Sequence, residues 1–295
     1  MKAVLFKKTG SVAGLVLADI PQPVPKPSEV LVRIHATSVT RGDVVLRKIP
    51  FLLARLFGQK RKAMLGHEFA GEIEAIGSEV TEVSVGDRVF GTTTGLPTGS
   101  YAEYICVPAA GMLATIPPHV PFEDAAPVPI GATTALQFLR RGGLASGKRV
   151  LVIGASGSVG SYGVQIAAHY GAHVTGVSSG RNAELVRSLG AAEVIDYTVE
   201  DVTKGERRYD LVFDAVGAGS TGSFKRILAE GGSFVSVRSS TTESPSDLIE
   251  VRKLLAARRI RAVIDRRYAL DQIREAHSYV EKGRKAGNVL ISVAG

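Results

Sequence analysis

The sequence predicts an α/β chain: a β-rich first unit followed by a doubly wound parallel sheet of the Rossmann type. Two observations carry this. Before residue 118 the chain is rich in valine, proline and glycine and reads as short alternating strands. Beyond residue 119 short apolar runs alternate with helical stretches, the pattern of right-handed strand–helix–strand units.

At 295 residues, with 45% hydrophobic and 22% charged residues, the chain can bury two cores of ordinary size. The start, Met1-Lys2-Ala3-Val4-Leu5-Phe6-Lys7-Lys8, sets charges on both sides of a very short apolar run and reads as a strand rather than a signal peptide. No apolar run is long enough to cross a bilayer, so no membrane partner is expected. The single cysteine, Cys106, excludes an internal disulfide framework and a multi-cysteine zinc site, and a cytoplasmic setting is expected. The net charge is +8, from 36 basic and 28 acidic residues. Much of it lies at Arg252, Lys253, Arg258, Arg259, Arg261, Arg266 and Arg267, where it reads as a solvated face that also steers an anionic ligand. No aromatic-interleaved basic motif accompanies it, so nucleic acid is not an expected partner.

In order, strands are expected at 30–36, 69–75, 87–90 and 101–107, separated by turn signals at 21–27, 77–78, 86–87 and 95–99. The apolar-then-basic segment 50–62 interrupts them as a loop or short helix. Its Phe51, Leu52, Leu53 and Phe57 are available to line an apolar pocket. Pro117-Pro118 marks a boundary, after which 122–141 reads as helical. Strands then follow at 150–153, 173–177, 193–197, 211–216 and 233–237, with helices at 182–189, 223–229 and 246–257. The stretch 261–295 returns to strand, helix, strand, ending at 288–293. The expected organisation is therefore 1–118, 119–260 and 261–295.

The most informative run is Val150-Leu151-Val152-Ile153-Gly154-Ala155-Ser156-Gly157-Ser158-Val159-Gly160. Continuous apolar residues suit a parallel strand buried on both faces. The glycines let backbone approach a pyrophosphate, and the N–H groups of the following helix start attract it. Strand before and helix after supply the context that a dinucleotide site requires. An acidic residue at the end of the second strand would favour NAD. That strand ends instead in Ser178-Ser179-Gly180-Arg181-Asn182, with hydroxyls and a guanidinium suited to a phosphate, so NADP(H) is expected. Tyr197, ending the third strand, is placed to flank the same phosphate.

Seven marks occur in order: Gly66-His67-Glu68-Phe69-Ala70-Gly71, Val85-Gly86-Asp87-Arg88-Val89-Phe90, Tyr101-Ala102-Glu103-Tyr104, the glycine turn, Leu189-Gly190-Ala191, Phe213-Asp214-Ala215-Val216-Gly217 and Gly287-Asn288-Val289. With them the chain resembles the medium-chain dehydrogenase/reductase superfamily, in its zinc-free quinone oxidoreductase branch. The resemblance implies a GroES-like catalytic domain, an inserted Rossmann domain with the cofactor between the two, and a C-terminal return to the first. It implies cofactor contacts at Thr134, Ser156, Gly157, Ser158, Val159, Gly160, Val216, Gly217 and Asn288, with Thr133, like Thr134, at a position that touches nicotinamide or phosphates.

Zinc-dependent relatives carry a cysteine at the position of Thr40, a histidine at that of His67 and another cysteine near Ile130. Only the histidine remains here, and one nitrogen ligand cannot hold a catalytic zinc, so no metal is expected. His67 then lines or supports the site, and Glu68 is expected in a buried ion pair. Hydride delivery to an apolar quinone or an α,β-unsaturated carbonyl needs little electrophilic help. Thr40 stands where relatives keep a polar group facing the nicotinamide and is the expected donor to the developing oxyanion. Asp43 reads as turn structure, with Tyr101 and Tyr104 as lesser candidates for a proton donor. The link 238–245 is shorter than in relatives and omits the last sheet strand, which there pairs across a dimer axis. That argues against a homodimer by the usual route, and it leaves open a dinucleotide-binding regulatory protein with little catalysis as the alternative.

Overall fold

A computed structural model describes residues 1–49 and 64–293. The 50–62 segment with its pocket-lining aromatics lies outside the described residues. The chain divides into two compact units, Met1–Ile130 with Ser244–Arg252 and Ile264–Gly295, and Gly131–Glu243 with Lys253–Val263.

In the first unit β1 (Lys2–Phe6) and β2 (Leu15–Asp19) form an antiparallel hairpin. A seven-stranded sheet is built on the long β3 (Glu29–Val39), followed by β4 (Glu68–Ile76), β5 (Arg88–Thr92), β6 (Tyr104–Pro108) and β7 (Leu113–Thr115). Between β3 and β4 lies α1 (Arg41–Lys48), and the C-terminal return adds β13 (Ile264–Ala269), α8 (Ile273–Glu281) and β14 (Asn288–Ser292). The pairing β14 against β3 is antiparallel, with Val289 opposite Val39 and Leu290 opposite Ser38. That register returns the C-terminus to the first unit, beside the residues that lead into α1. Alternate β3 residues Val30, Val32 and Ile34 pack with Phe69, Ile73, Val89 and Ile105. A second core joins Val4, Leu15, Tyr101, Ile273, Val289 and Ile291.

The second unit holds a five-stranded parallel sheet: β8 (Arg149–Ile153), β9 (His173–Ser178), β10 (Glu193–Asp196), β11 (Tyr209–Asp214) and β12 (Leu228–Ser236) in the order β10-β9-β8-β11-β12. The order reverses between β8 and β11, and in open sheets of this kind ligands bind outside the carboxyl ends at such a switch point. Helices α3 (Pro129–Arg141), α4 (Ser158–His169), α5 (Ala183–Ser188) and α6 (Thr221–Phe224) connect the strands or cover them. Val150, Leu151 and Val152 are fully buried, as the unbroken apolar run required.

Several boundaries differ from the sequence expectation. The units divide at Ile130, beyond the proline pair. The reason is Phe122, in α2 (Phe122–Ala125), whose ring stacks on His35 at 4.2 Å while the Arg88 guanidinium sits 4.4 Å from its centroid. These contacts hold 122–130 in the first unit. The 122–141 helix is two helices because Pro127 and Pro129 interrupt it, each lacking an N–H to donate. The helix expected at 223–229 ends early, and its last residues open β12 instead. Helix α7 (Pro245–Ala256) contributes residues to both units. The sheet has five strands among the described residues. The short link after β12 is pinned to α3, where Gln137 Nε2 donates to the Thr242 carbonyl (2.6 Å) and Arg141 Nη2 to that of Ser240 (3.2 Å).

Candidate active site

In the second unit, four loops at the carboxyl ends of the sheet bring the sequence candidates to one edge. After β8, the N–H groups of Gly154 and Ala155 both donate to the Val177 carbonyl (3.0 and 2.9 Å), folding the turn against β9. Gly160 has no room for a side chain, because a Cβ there would collide with the Gly154 carbonyl. Gly157 is the N-cap of α4 and, lacking a side chain, makes no cap bond to that helix. A close glycine approach and an uncapped 12-residue helix make a cradle that fits a pyrophosphate.

Ser178, ending β9, is buried and its hydroxyl donates to the Ser179 carbonyl (3.2 Å). Arg181 is exposed in the loop that follows, and Tyr197, 64% exposed after β10, donates its N–H to the Ser178 carbonyl (3.2 Å). Asn182, which the sequence reading passed over, ties this loop to the glycine turn: its Nδ2 donates to Ser156 Oγ (3.0 Å) and Ser179 Oγ (3.3 Å).

Behind the last loop is a second residue given no role from sequence. Buried Asp214 accepts the N–H groups of Val216 (3.2 Å), Gly217 (2.9 Å) and Gly219 (3.1 Å) and the Ser236 hydroxyl (3.2 Å). A short acid just before a glycine-containing turn is the available signal for such an anchor. It presents Val216 to the glycine turn so closely that a Cβ on Gly154 would strike the Val216 side chain. Thr134 lies half-buried on α3, whose Gly131 packs against the Tyr162 ring of α4. Ser158 and Val159 open α4.

The first unit places Thr40, Asp43, His67 and Glu68 together. Thr40 is the N-cap of α1 in a capping box. Its hydroxyl donates to Asp43 Oδ2 (2.6 Å) and accepts the Asp43 N–H (3.1 Å). Asp43 is fully buried and far more than a turn residue. Its Oδ2 also accepts the Thr40 N–H (2.8 Å), while Oδ1 accepts the Gly66 N–H (2.9 Å) and lies 2.7 Å from His67 Nδ1. Burial alone would push the Asp43 carboxyl up, but His67 and these donors hold it below the usual carboxylate range. Gly66, at φ +98°, has backbone geometry that other residues rarely adopt, and a Cβ there would meet Ser100 and Tyr101.

Among the described residues Glu68 makes no salt bridge, although the buried Lys285 ammonium feels its charge. Its carboxylate accepts the Ser38 hydroxyl (2.5 Å) and the Ile130 N–H at the start of α3 (3.0 Å). Neutral partners offset only part of the desolvation, and burial pushes Glu68 up to about 7. Tyr101 is buried with its hydroxyl between Asp43 and His277, whose Nε2 is 3.2 Å away, so this phenol is committed to the interior. Burial pulls His277 down to about 4. Tyr104 is a half-buried strand residue of β6, and Asn288 opens β14, nearly fully buried. No group of three His, Cys, Asp or Glu side chains suited to a metal occurs among the described residues.

The model for the alcohol dehydrogenase GroES-like domain matches residues 26–118, and that for the zinc-binding dehydrogenase domain matches residues 158–282. A 2-methylene-furan-3-one reductase of Solanum lycopersicum is 32% identical, over 99% of this chain and 79% of the relative. The chain belongs to the medium-chain dehydrogenase/reductase superfamily of oxidoreductases, in its quinone oxidoreductase-like branch. An NADPH-dependent alkenal/one oxidoreductase of Arabidopsis thaliana is 30% identical, again over 99% of this chain and 79% of the relative. Among solved structures, a quinone oxidoreductase from Coxiella burnetii matches with a TM-score of 0.90 at 28% identity, covering 100% of this chain and 99% of that one. These matches bear out the expected pairing of a GroES-like unit with a Rossmann-type sheet. No helix among the described residues is long and apolar enough to cross a membrane.

Proposed function

We propose that this chain is a zinc-independent, NADPH-dependent reductase that delivers hydride to small apolar quinones or α,β-unsaturated carbonyls. The observation that carries the reading is the uncapped start of α4 behind a glycine turn with no room for side chains. Its coenzyme half rests on a second strand that ends in Ser178 and leads to Arg181, with no carboxylate of its own. Relatives named as alkenal, furanone and quinone reductases support the acceptor class.

In this reading the N–H groups at Ser158, Val159 and Gly160 hold the pyrophosphate where Gly157 turns the chain into α4, and Ser178, Arg181 and Tyr197 surround the 2′-phosphate. Val216, Gly217, Thr134 and Asn288 complete the coenzyme contacts. The bound reduced nicotinamide supplies the hydride. Of the zinc-binding set that the resemblance implies, His67 alone is kept, and one nitrogen donor favours an electron sink in the substrate's own conjugation over a zinc. Thr40 Oγ1–H is the donor to the developing oxyanion. Turning it from Asp43 Oδ2 requires rotation of the hydroxyl hydrogen alone, and Asp43 keeps Thr40 N–H, Gly66 N–H and His67 as partners. Giving up a charge-assisted bond costs about 1.5–3 kcal/mol, so the transfer is favourable only toward an oxygen that carries developing charge.

The test is oxidation of NADPH and NADH by small quinones and enones on metal-stripped protein. Undiminished turnover that favours NADPH supports the reading. Dependence on added zinc overturns its metal-free part, and an NADH preference overturns its coenzyme part.

A further inference from the structure

Between Ser178 and α5, the chain needs a fixed shape if it is to receive a 2′-phosphate, and exposed loops with Gly and Ser do not hold one shape unaided. Here the loop is tied at both ends. On one side Asn182 bonds Ser156 of the glycine turn and Ser179 within the loop, and its own N–H donates to the Ser179 carbonyl (2.9 Å). On the other side stands Asp196, the last residue of β10 and the register partner of Ser178. Its Oδ1 accepts the N–H (2.9 Å) and the hydroxyl (2.8 Å) of Thr198. Its Oδ2 lies against Gly180, where an added Cβ would collide with it. The Thr198 bonds and the Gly180 N–H all hold this carboxylate ionised.

Asp196 is therefore a carboxylate one strand away from the position where coenzyme-selecting acids stand. A bare carboxylate there would repel a 2′-phosphate. This one is occupied, with its oxygens on Thr198 and Gly180. We propose that Asp196 determines coenzyme choice as a positioning residue: it fixes the Ser178–Asn182 loop in the shape that presents Arg181 and the serine hydroxyls to the 2′-phosphate. The inference rests on the NADPH reading above. It makes Gly180 obligatory, because the pinned Asp196 cannot yield to a side chain there.

The experiment is calorimetric titration of NADPH and of NADH into the wild type, D196N, D196A, G180A and the double variant G180A/D196A. Unchanged far-UV circular dichroism establishes that each is folded. Losing the loop's anchor is worth about one hydrogen bond, so D196A weakens NADPH about tenfold and leaves NADH within about twofold. D196N keeps one acceptor oxygen and falls between wild type and D196A. G180A weakens NADPH in the wild-type background and adds little to D196A, because its collision partner is gone. An unchanged NADPH-to-NADH ratio in D196A overturns the proposal. So does tighter NADPH binding, which would make Asp196 a repelling charge. A wild type that binds neither coenzyme removes the underlying coenzyme reading instead.

Discussion

Replacing Asp43 by asparagine tests the network beneath the candidate catalytic threonine. The carboxylate accepts at both oxygens, from Thr40 N and Oγ1 on one and from Gly66 N and His67 Nδ1 on the other. An amide has only one acceptor oxygen. If that oxygen faces Gly66, the NH₂ meets the Thr40 N–H; if it faces Thr40, the NH₂ meets the Gly66 N–H. Either way one backbone N–H loses its partner, at about 1–3 kcal/mol, and the charge-assisted bonds that survive become ordinary ones. The sum is about 3–4 kcal/mol, in line with other broken buried pairs. At about 2–4 °C per kcal/mol, the melting midpoint should fall by roughly 10 °C. Thermal melts followed by circular dichroism at pH 7 read this directly. A fall of less than about 2 °C would refute the reasoning, because the four bonds could not then be contributing as drawn.

Thr40→Val removes the hydroxyl but keeps the shape, and is expected to lower kcat by about 10²-fold while the KM for NADPH holds; Thr40→Ser should restore most of it. Steady-state kinetics with one quinone and one enone checks both, and an unimpaired valine variant assigns Thr40 to capping alone. Glu68, raised to about 7 from an ordinary 4.5, binds its proton more tightly in the folded chain. Its contribution is fully present below about pH 4.5 and is lost as pH rises through 7, a change on the order of 3 kcal/mol. Urea titrations of Glu68→Gln at pH 5 and pH 8 should therefore show a smaller loss of stability between the two than the wild type shows. Equal losses contradict the assignment.

Much of this molecule was legible because its signals are backbone signals. The run at 150–160 announced its strand, turn and helix through apolar continuity and glycine spacing, and the C-terminal return to the first unit came from the order of the marks. What stayed hidden depends on contacts between residues distant in sequence. That Glu68 accepts from Ser38 and Ile130 follows from how α3 begins beside β4, which no local pattern encodes. The boundary at Ile130 depends on Phe122 finding His35. Asp196, in an expected strand, and Asn182, at an expected helix start, had no role until β9 and β10 were in register. Thr40 was singled out by position, but its capping bond to Asp43 was not, although Thr-x-x-Asp before an apolar stretch is a readable cap.

Coenzyme binding depends on the seat formed by Gly157 and Gly160, and the most direct measurement is the heat of mixing NADPH with the purified chain and with Gly160→Ala. One coenzyme per chain is expected for the wild type, with NADH weaker by about tenfold or more, since one net charge-assisted contact to the phosphate is already worth about that. Because a methyl at position 160 would occupy the space of the Gly154 carbonyl, the variant should bind neither form detectably while staying folded. Wild-type binding left intact by that methyl, or no binding to begin with, would contradict the central claim.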